Sequence, residues 1–126
     1  MIYLKFEDIP VWQESRNIVK RIYVLIKDHH KLQRDFALSD QFKRAGCSIM
    51  LNIAEGFERS SNTEFAHFLN IAKGSAGEVR AILYIIEDND YIPPKELLPI
   101  KTEVESTSTH IANFRKFLMK NSSRKK

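Results

Sequence analysis

Gln41 to Gly56 reads QFKRAGCSIMLNIAEG. Phe42, Ala45, Ile49 and Ile53 recur at helical spacing and make one apolar line down a helix. Gln41, Arg44, Ser48, Asn52 and Glu55 make a second, polar line about 100° around the same helix. A helix with a core-facing stripe and a polar stripe beside it needs partners on more than one side, which points to a bundle.

Working outward, three more segments show helical periodicity, and no segment alternates with period two long enough to argue for a sheet. The first carries Val11, Ser15, Ile18, Ile22, Leu25 and Ile26 and is predicted from about Ile9 to Asp28, with Asp8 as N-cap and Pro10 in the first turn. The polar interval from His29 to Asp35 reads as a loop. Ser39 is the expected cap of the second helix, predicted over 39–56, and Gly56 is its expected end because glycine accepts positive φ. Ser61-Asn62-Thr63-Glu64 is a capping box that opens a third helix over 62–88. Pro93-Pro94 forces a new start. The last helix, over 94–120, carries Leu97, Ile100, Val104, Thr107, Ile111, Phe114 and Leu118 at coiled-coil-like steps. The expectation is all-α: one antiparallel up-down-up-down four-helix-bundle domain over 1–126, with a short basic tail at 122–126.

A chain of 126 residues can bury a core without staples. The single cysteine, Cys47, excludes an intrachain disulfide, and the chain shows neither a secretory leader nor an apolar run that could span a bilayer, so a cytoplasmic, non-membrane protein is expected. The net charge of +4 is unevenly placed. Arg115, Lys116, Lys120, Arg124, Lys125 and Lys126 follow His110 with no acid among them, whereas the preceding 110 residues hold 14 basic and 16 acidic side chains. Polyanion binding would therefore rest on the C-terminal end.

The polar line on the second helix has a counterpart on the third. Glu64, His67, Ile71, Ser75 and Glu78 repeat its steps in reverse, so in a hairpin turning near Arg59 residues whose numbers sum to 119 share a height. An ion pair from Arg44 to Glu78 is expected. The seam of Gln41, Arg44, Ser48, Asn52, Glu55, Ser75 and Glu78 is read as a register-fixing network or as the border of a subunit interface. Gly46, Gly74 and Gly77 lie at similar distances from the turn, so close approach of the second and third helices is expected there.

Catalytic chemistry finds little support. Glu64-Phe65-Ala66-His67 has the Glu-x-x-His spacing of di-iron bundles, but no second copy accompanies it, so no metal or other cofactor is expected. Cys47 sits mid-helix among small residues, which suits packing better than nucleophilic attack. His29, His30, His67 and His110 have no metal-ligand spacing, and Trp12 reads as a core or interface anchor. The chain reads as a non-enzyme.

Gln41, Arg44-Ala45, Ser48-Ile49, Asn52-Ile53-Ala54-Glu55-Gly56, Arg59-Ser60, Glu64-Phe65, Phe68-Leu69, Ala72, Gly74-Ser75 and Glu78, together with Val11-Trp12-Gln13, resemble the signature of the 23S ribosomal RNA intervening-sequence proteins. Met50 and Gly77 depart from it, standing where proline and a larger residue are usual. The resemblance implies a four-helix bundle assembled as a homo-oligomeric ring, commonly a pentamer of five subunits. It also implies kinship with accessory proteins of diversity-generating retroelements, which bind nucleic acid and a reverse transcriptase. RNA, held through the six C-terminal cations, is the expected partner. A protein-interaction scaffold with no nucleic-acid role is the alternative, with Tyr23 and Phe117 as subunit-contact residues in either case.

Overall fold

The computed structural model describes residues 3 to 121. A short 3-10 helix, Phe6–Asp8, leads into α1 (Pro10–Asp28); α2 (His30–Arg34), α3 (Phe36–Phe57), α4 (Asn62–Asp88) and α5 (Pro94–Lys120) follow. The four long helices form the antiparallel up-down-up-down bundle expected from the periodicity, and α4 and α5 have the predicted bounds. Neighbours are α1 with α3, α3 with α4, α4 with α5 and α5 with α1, so α1 and α4 lie on one diagonal and α3 and α5 on the other.

The apolar lines meet in one core. Phe42, Ile49, Ile53, Phe65, Leu69 and Ile111 are fully enclosed, and each such side chain contributes about 1.5 to 3 kcal/mol of burial. Trp12 joins this core, with its ring edge on Phe6 at 5.1 Å between centroids and the Arg16 guanidinium 5.8 Å above it.

Several boundaries differ from the sequence reading for local reasons. Ile9, not Asp8, is the N-cap of α1, because the 3-10 turn carries Asp8 outward and Pro10 supplies the preset first-turn φ. The interval 29–35 is not a loop: Leu32 is wholly buried, and anchoring it winds residues 30–34 into α2. The cap of α3 is Asp35, whose carboxylate accepts the Leu38 amide at 3.1 Å, so the helix starts three residues before Ser39. Ser39 lies inside the helix, and its hydroxyl donates to the Leu32 carbonyl at 2.5 Å.

Gly56 does not end α3 by adopting positive φ; no described glycine does. It is needed for contact, since a Cβ there would stand 2.7 Å from the Phe68 Cβ and 2.8 Å from the Phe65 ring. The capping box at Ser61 forms by half. The Ser61 hydroxyl accepts the Glu64 amide at 3.2 Å, while the Glu64 carboxylate accepts the Ser60 hydroxyl at 3.1 Å instead of reaching back to an amide. The glycine crossing is also corrected. A Cβ on Gly46 would press on the end of Ile22 of α1, not on α4, and Gly74 and Gly77 have nothing within 4 Å.

Candidate functional site

Of the expected seam, Gln41 meets Glu78 and Ser48 meets Ser75 across α3 and α4, whereas Arg44 and Glu55 pair with residues four positions away along the chain. The Gln41 amide donates to the Glu78 carboxylate, so the expected level is right and the partner is Gln41, not Arg44. Arg44 instead donates to Asp40 one turn back at 2.7 Å. From its position on α3 it projects to the outer side, beyond reach of Glu78.

One step along, the Ser75 hydroxyl donates to Ser48 at 2.8 Å, and the Asn52 amide donates to the Ser48 carbonyl at 2.8 Å and hydroxyl at 3.0 Å. Ser75 is 9% exposed and Ser48 half-buried, so this hydroxyl pair is the most enclosed part of the seam. Glu55 pairs with Arg59 at 2.7 Å, and the Arg59 guanidinium lies 4.7 Å over the Phe68 ring. The paired positions 41 with 78 and 48 with 75 sum to 119 and 123, a drift produced by the crossing of the two helices.

These hydrogen bonds tie α3 to α4 of the same chain at two levels. Neither seam serine is hydrogen-bonded to a histidine or carboxylate among the described residues, so the geometry supplies no base to activate a nucleophile. The Glu64 carboxylate is occupied by serine hydroxyls and the His67 ring packs edge-on against Phe68, so the Glu-x-x-His pair does not converge. Among the described residues no three His, Cys, Asp or Glu side chains are placed to hold a metal.

Cys47 is half-buried beside Tyr23. The thiol raises the Tyr23 phenol pKa, by charge repulsion first, then by loss of hydration and a shared hydrogen bond. Lys43 stands 5.2 Å over the same ring.

At the C-terminal end, Lys116 and Lys120 are exposed and Arg115 is half-buried, with its Nε enclosed and lacking a hydrogen-bond partner among the described residues. None of the three is in an ion pair there. Arg124, Lys125 and Lys126 lie outside the described residues.

A second polar seam, between α1 and α5, escaped the sequence reading. Glu14 accepts from the Thr107 hydroxyl at 3.0 Å and lies 2.8 Å from His110 Nδ1; Arg21 pairs with Glu103 at 2.6 Å. His29 Nε2 lies 3.1 Å from the Glu96 carboxylate while its Nδ1 is 2.8 Å from the Leu25 carbonyl oxygen. The signal was present as a heptad: Glu96, Glu103 and His110 fall seven apart, as do Glu14 and Arg21.

Comparison with known proteins places this geometry. The family model described as 23S rRNA-intervening sequence protein matches residues 7–113. A crystal structure of a protein of unknown function from the S23 ribosomal protein family of Bacteroides thetaiotaomicron is 28% identical, with a TM-score of 0.78 over 84% of this chain and 98% of that one. No curated protein matches the chain in sequence. No helix is long and apolar enough to cross a membrane among the described residues. With the match running through all four long helices, the chain belongs to the 23S rRNA-intervening sequence protein family.

Proposed function

We propose that this chain is a non-enzymatic bundle that assembles as a ring, of five subunits in keeping with the sequence resemblance, and holds RNA on the cationic ends of α5. One contrast supports the reading. Arg21, Arg44, Arg59 and Arg80 each stand within 3.5 Å of a carboxylate, whereas Arg115, Lys116 and Lys120 meet none among the described residues. These four body arginines are locally neutralised, and the field of the acid-free C-terminal end is left for a polyanion.

The family match stops at residue 113, so all six of these cations are features of this chain beyond the matched span. A ring repeats the cationic end once per subunit and turns weak contacts into avidity. Binding is sequence-tolerant, since phosphate contacts position nucleic acid without reading bases.

The test is fluorescence anisotropy with a structured ribosomal RNA fragment at about 50 and about 200 mM salt. Six cations per chain give an expected slope of log affinity against log salt of about −4 to −5 for each engaged end. Truncation before Ser122 combined with Arg115→Gln, Lys116→Gln and Lys120→Gln abolishes binding. A correctly folded assembly that binds no RNA at low salt overturns the reading.

A protein scaffold then becomes the better account. It is favoured by Leu51 and Ile71, which are 64% and 40% exposed at similar heights on the outer α3–α4 face, beside the open Gly74. That apolar spot next to a rigid seam suits protein contact.

A further inference from the structure

Two other exposed surfaces differ in shape and charge and lie at the same end of the bundle. The first is a groove of about 750 Å³ along the outer side of α1 and α3. Tyr23, Val24 and Phe36 line it and are 48%, 54% and 80% exposed. Lys27 and Lys43 stand at its edge without an ion-pair partner among the described residues, Lys43 lying 5.2 Å over the Tyr23 ring, and its one acid, Asp40, is already held by Arg44 at 2.7 Å. The groove is thus apolar at its floor and positive at its rim.

The second surface is the C-terminal end of α4 with the start of α5. Tyr84, Ile85 and Leu98 are about half-exposed there, and Glu87 and Asp88 carry negative charge without an ion-pair partner among the described residues. Of the two cations at this start of α5, Lys95 is exposed and Lys101 is stacked 4.9 Å over the Tyr84 ring, set against the acids Glu87, Asp88, Asp90 and Glu96. On the outer side of α4 leading to this corner, Gly77 has nothing within 4 Å, so another backbone can approach.

Both surfaces belong to the end of the bundle where α1 and α4 finish, and α1 and α4 occupy opposite corners. Copies set side by side with parallel axes therefore bring the acidic corner of one to the height of the basic groove of the next. This is a heterologous contact, the kind that repeats around a ring.

Resting on the ring reading above, we infer that the α1–α3 groove is the socket for a second copy of this chain, which inserts its Tyr84, Ile85 and Leu98 corner with Glu87 and Asp88 facing Lys27 and Lys43. Apolar contact supplies the affinity, and the opposed charges fix orientation and exclude the symmetric groove-to-groove pairing.

Charge exchange tests the assignment by mass in solution on the full chain, with helical circular dichroism as the check on folding. Lys27→Glu with Lys43→Glu places acid against acid, and Glu87→Lys with Asp88→Lys places base against base; each pair should reduce the particle to a single chain. The fourfold variant K27E/K43E/E87K/D88K carries an inverted but matched pair and should recover the wild-type mass. Folded reversal variants that keep the wild-type mass overturn the socket and leave the ring intact, as does a fourfold variant that stays a single chain while folded. A wild-type chain that is itself a single chain at micromolar concentration overturns the ring and the socket together, and would leave the groove to an acidic amphipathic helix of another protein.

Discussion

Single residues in this protein are constrained by contacts that their type alone does not announce. Gly56→Ala forces a methyl against the Phe68 Cβ, which cannot swing away as the end of a long side chain could, and should cost about 1 to 3 kcal/mol in urea unfolding. Gly74→Ala meets nothing within 4 Å and should gain about 1 kcal/mol, the helix-propensity difference, in the same measurement. Asp90 is the one described non-glycine residue at positive φ, 57°, and it ends α4 in a Schellman turn: the Tyr91 amide donates to the Ile86 carbonyl at 3.1 Å and the Asp90 amide to that of Glu87 at 3.0 Å. Asp90→Gly should therefore stabilise by about 1 kcal/mol. The sequence displayed each of these residues and placed the end of the third helix correctly. It could not separate a glycine required by a neighbour from one that faces open space, because that depends on what packs across from it.

At the scale of elements, the joints are held by side chains that serve two helices at once. Asp35 caps α3 and accepts the Tyr91 hydroxyl at 2.9 Å, tying the α2–α3 joint to the α4–α5 turn. That hydrogen bond, with smaller contributions from lost hydration and the carboxylate charge, raises the Tyr91 pKa above its ordinary value near 10. A proton held more tightly in the folded state stabilises it below the unfolded pKa, and the contribution is lost as pH rises through the folded one. Spectrophotometric titration should show two tyrosines, Tyr23 and Tyr91, ionising late in the wild type and one of them returning toward 10 in Asp35→Ala, which should also lose about 1 to 2 kcal/mol from the missing cap. Along the α1–α5 seam, the exposed Arg21–Glu103 pair should show a coupling of about 0.2 to 1 kcal/mol in a double-mutant cycle, shrinking in high salt. The stretch 29–35 reads as a loop in sequence because all of its residues but Leu32 are polar; in the structure Leu32 is fully buried within a short helix.

For the whole molecule, neutralising the six C-terminal cations shifts the net charge from +4 to −2. Arg115, Lys116 and Lys120 sit at the far end of α5 from both the α1–α3 groove and the acidic corner, so the variant should keep its mass in solution while losing RNA. A mass that changes with the tail would mean that the basic ends, not the bundle surfaces, hold the subunits together. The net charge is legible from composition alone, yet its distribution in space is not: most body arginines are matched by carboxylates from the same or a neighbouring helix.

Periodicity, caps and prolines are local, and a 3.6-residue repeat leaves one way to bury each stripe, so the amino-acid order was enough to specify the four long helices, their succession, their antiparallel pairing and the family, but not the short α2. It also placed Gln41 level with Glu78, since a hairpin fixes height by counting residues. Packing of the complete bundle was needed to settle that Gln41, not Arg44, takes that partner, that the glycines of α4 face outward, and that α1 and α5 share a seam of Glu14, Arg21, Glu96, Glu103 and His110. Those outcomes depend on rotation about each helix axis and on side-chain reach, which are fixed when all four stripes compete for one core.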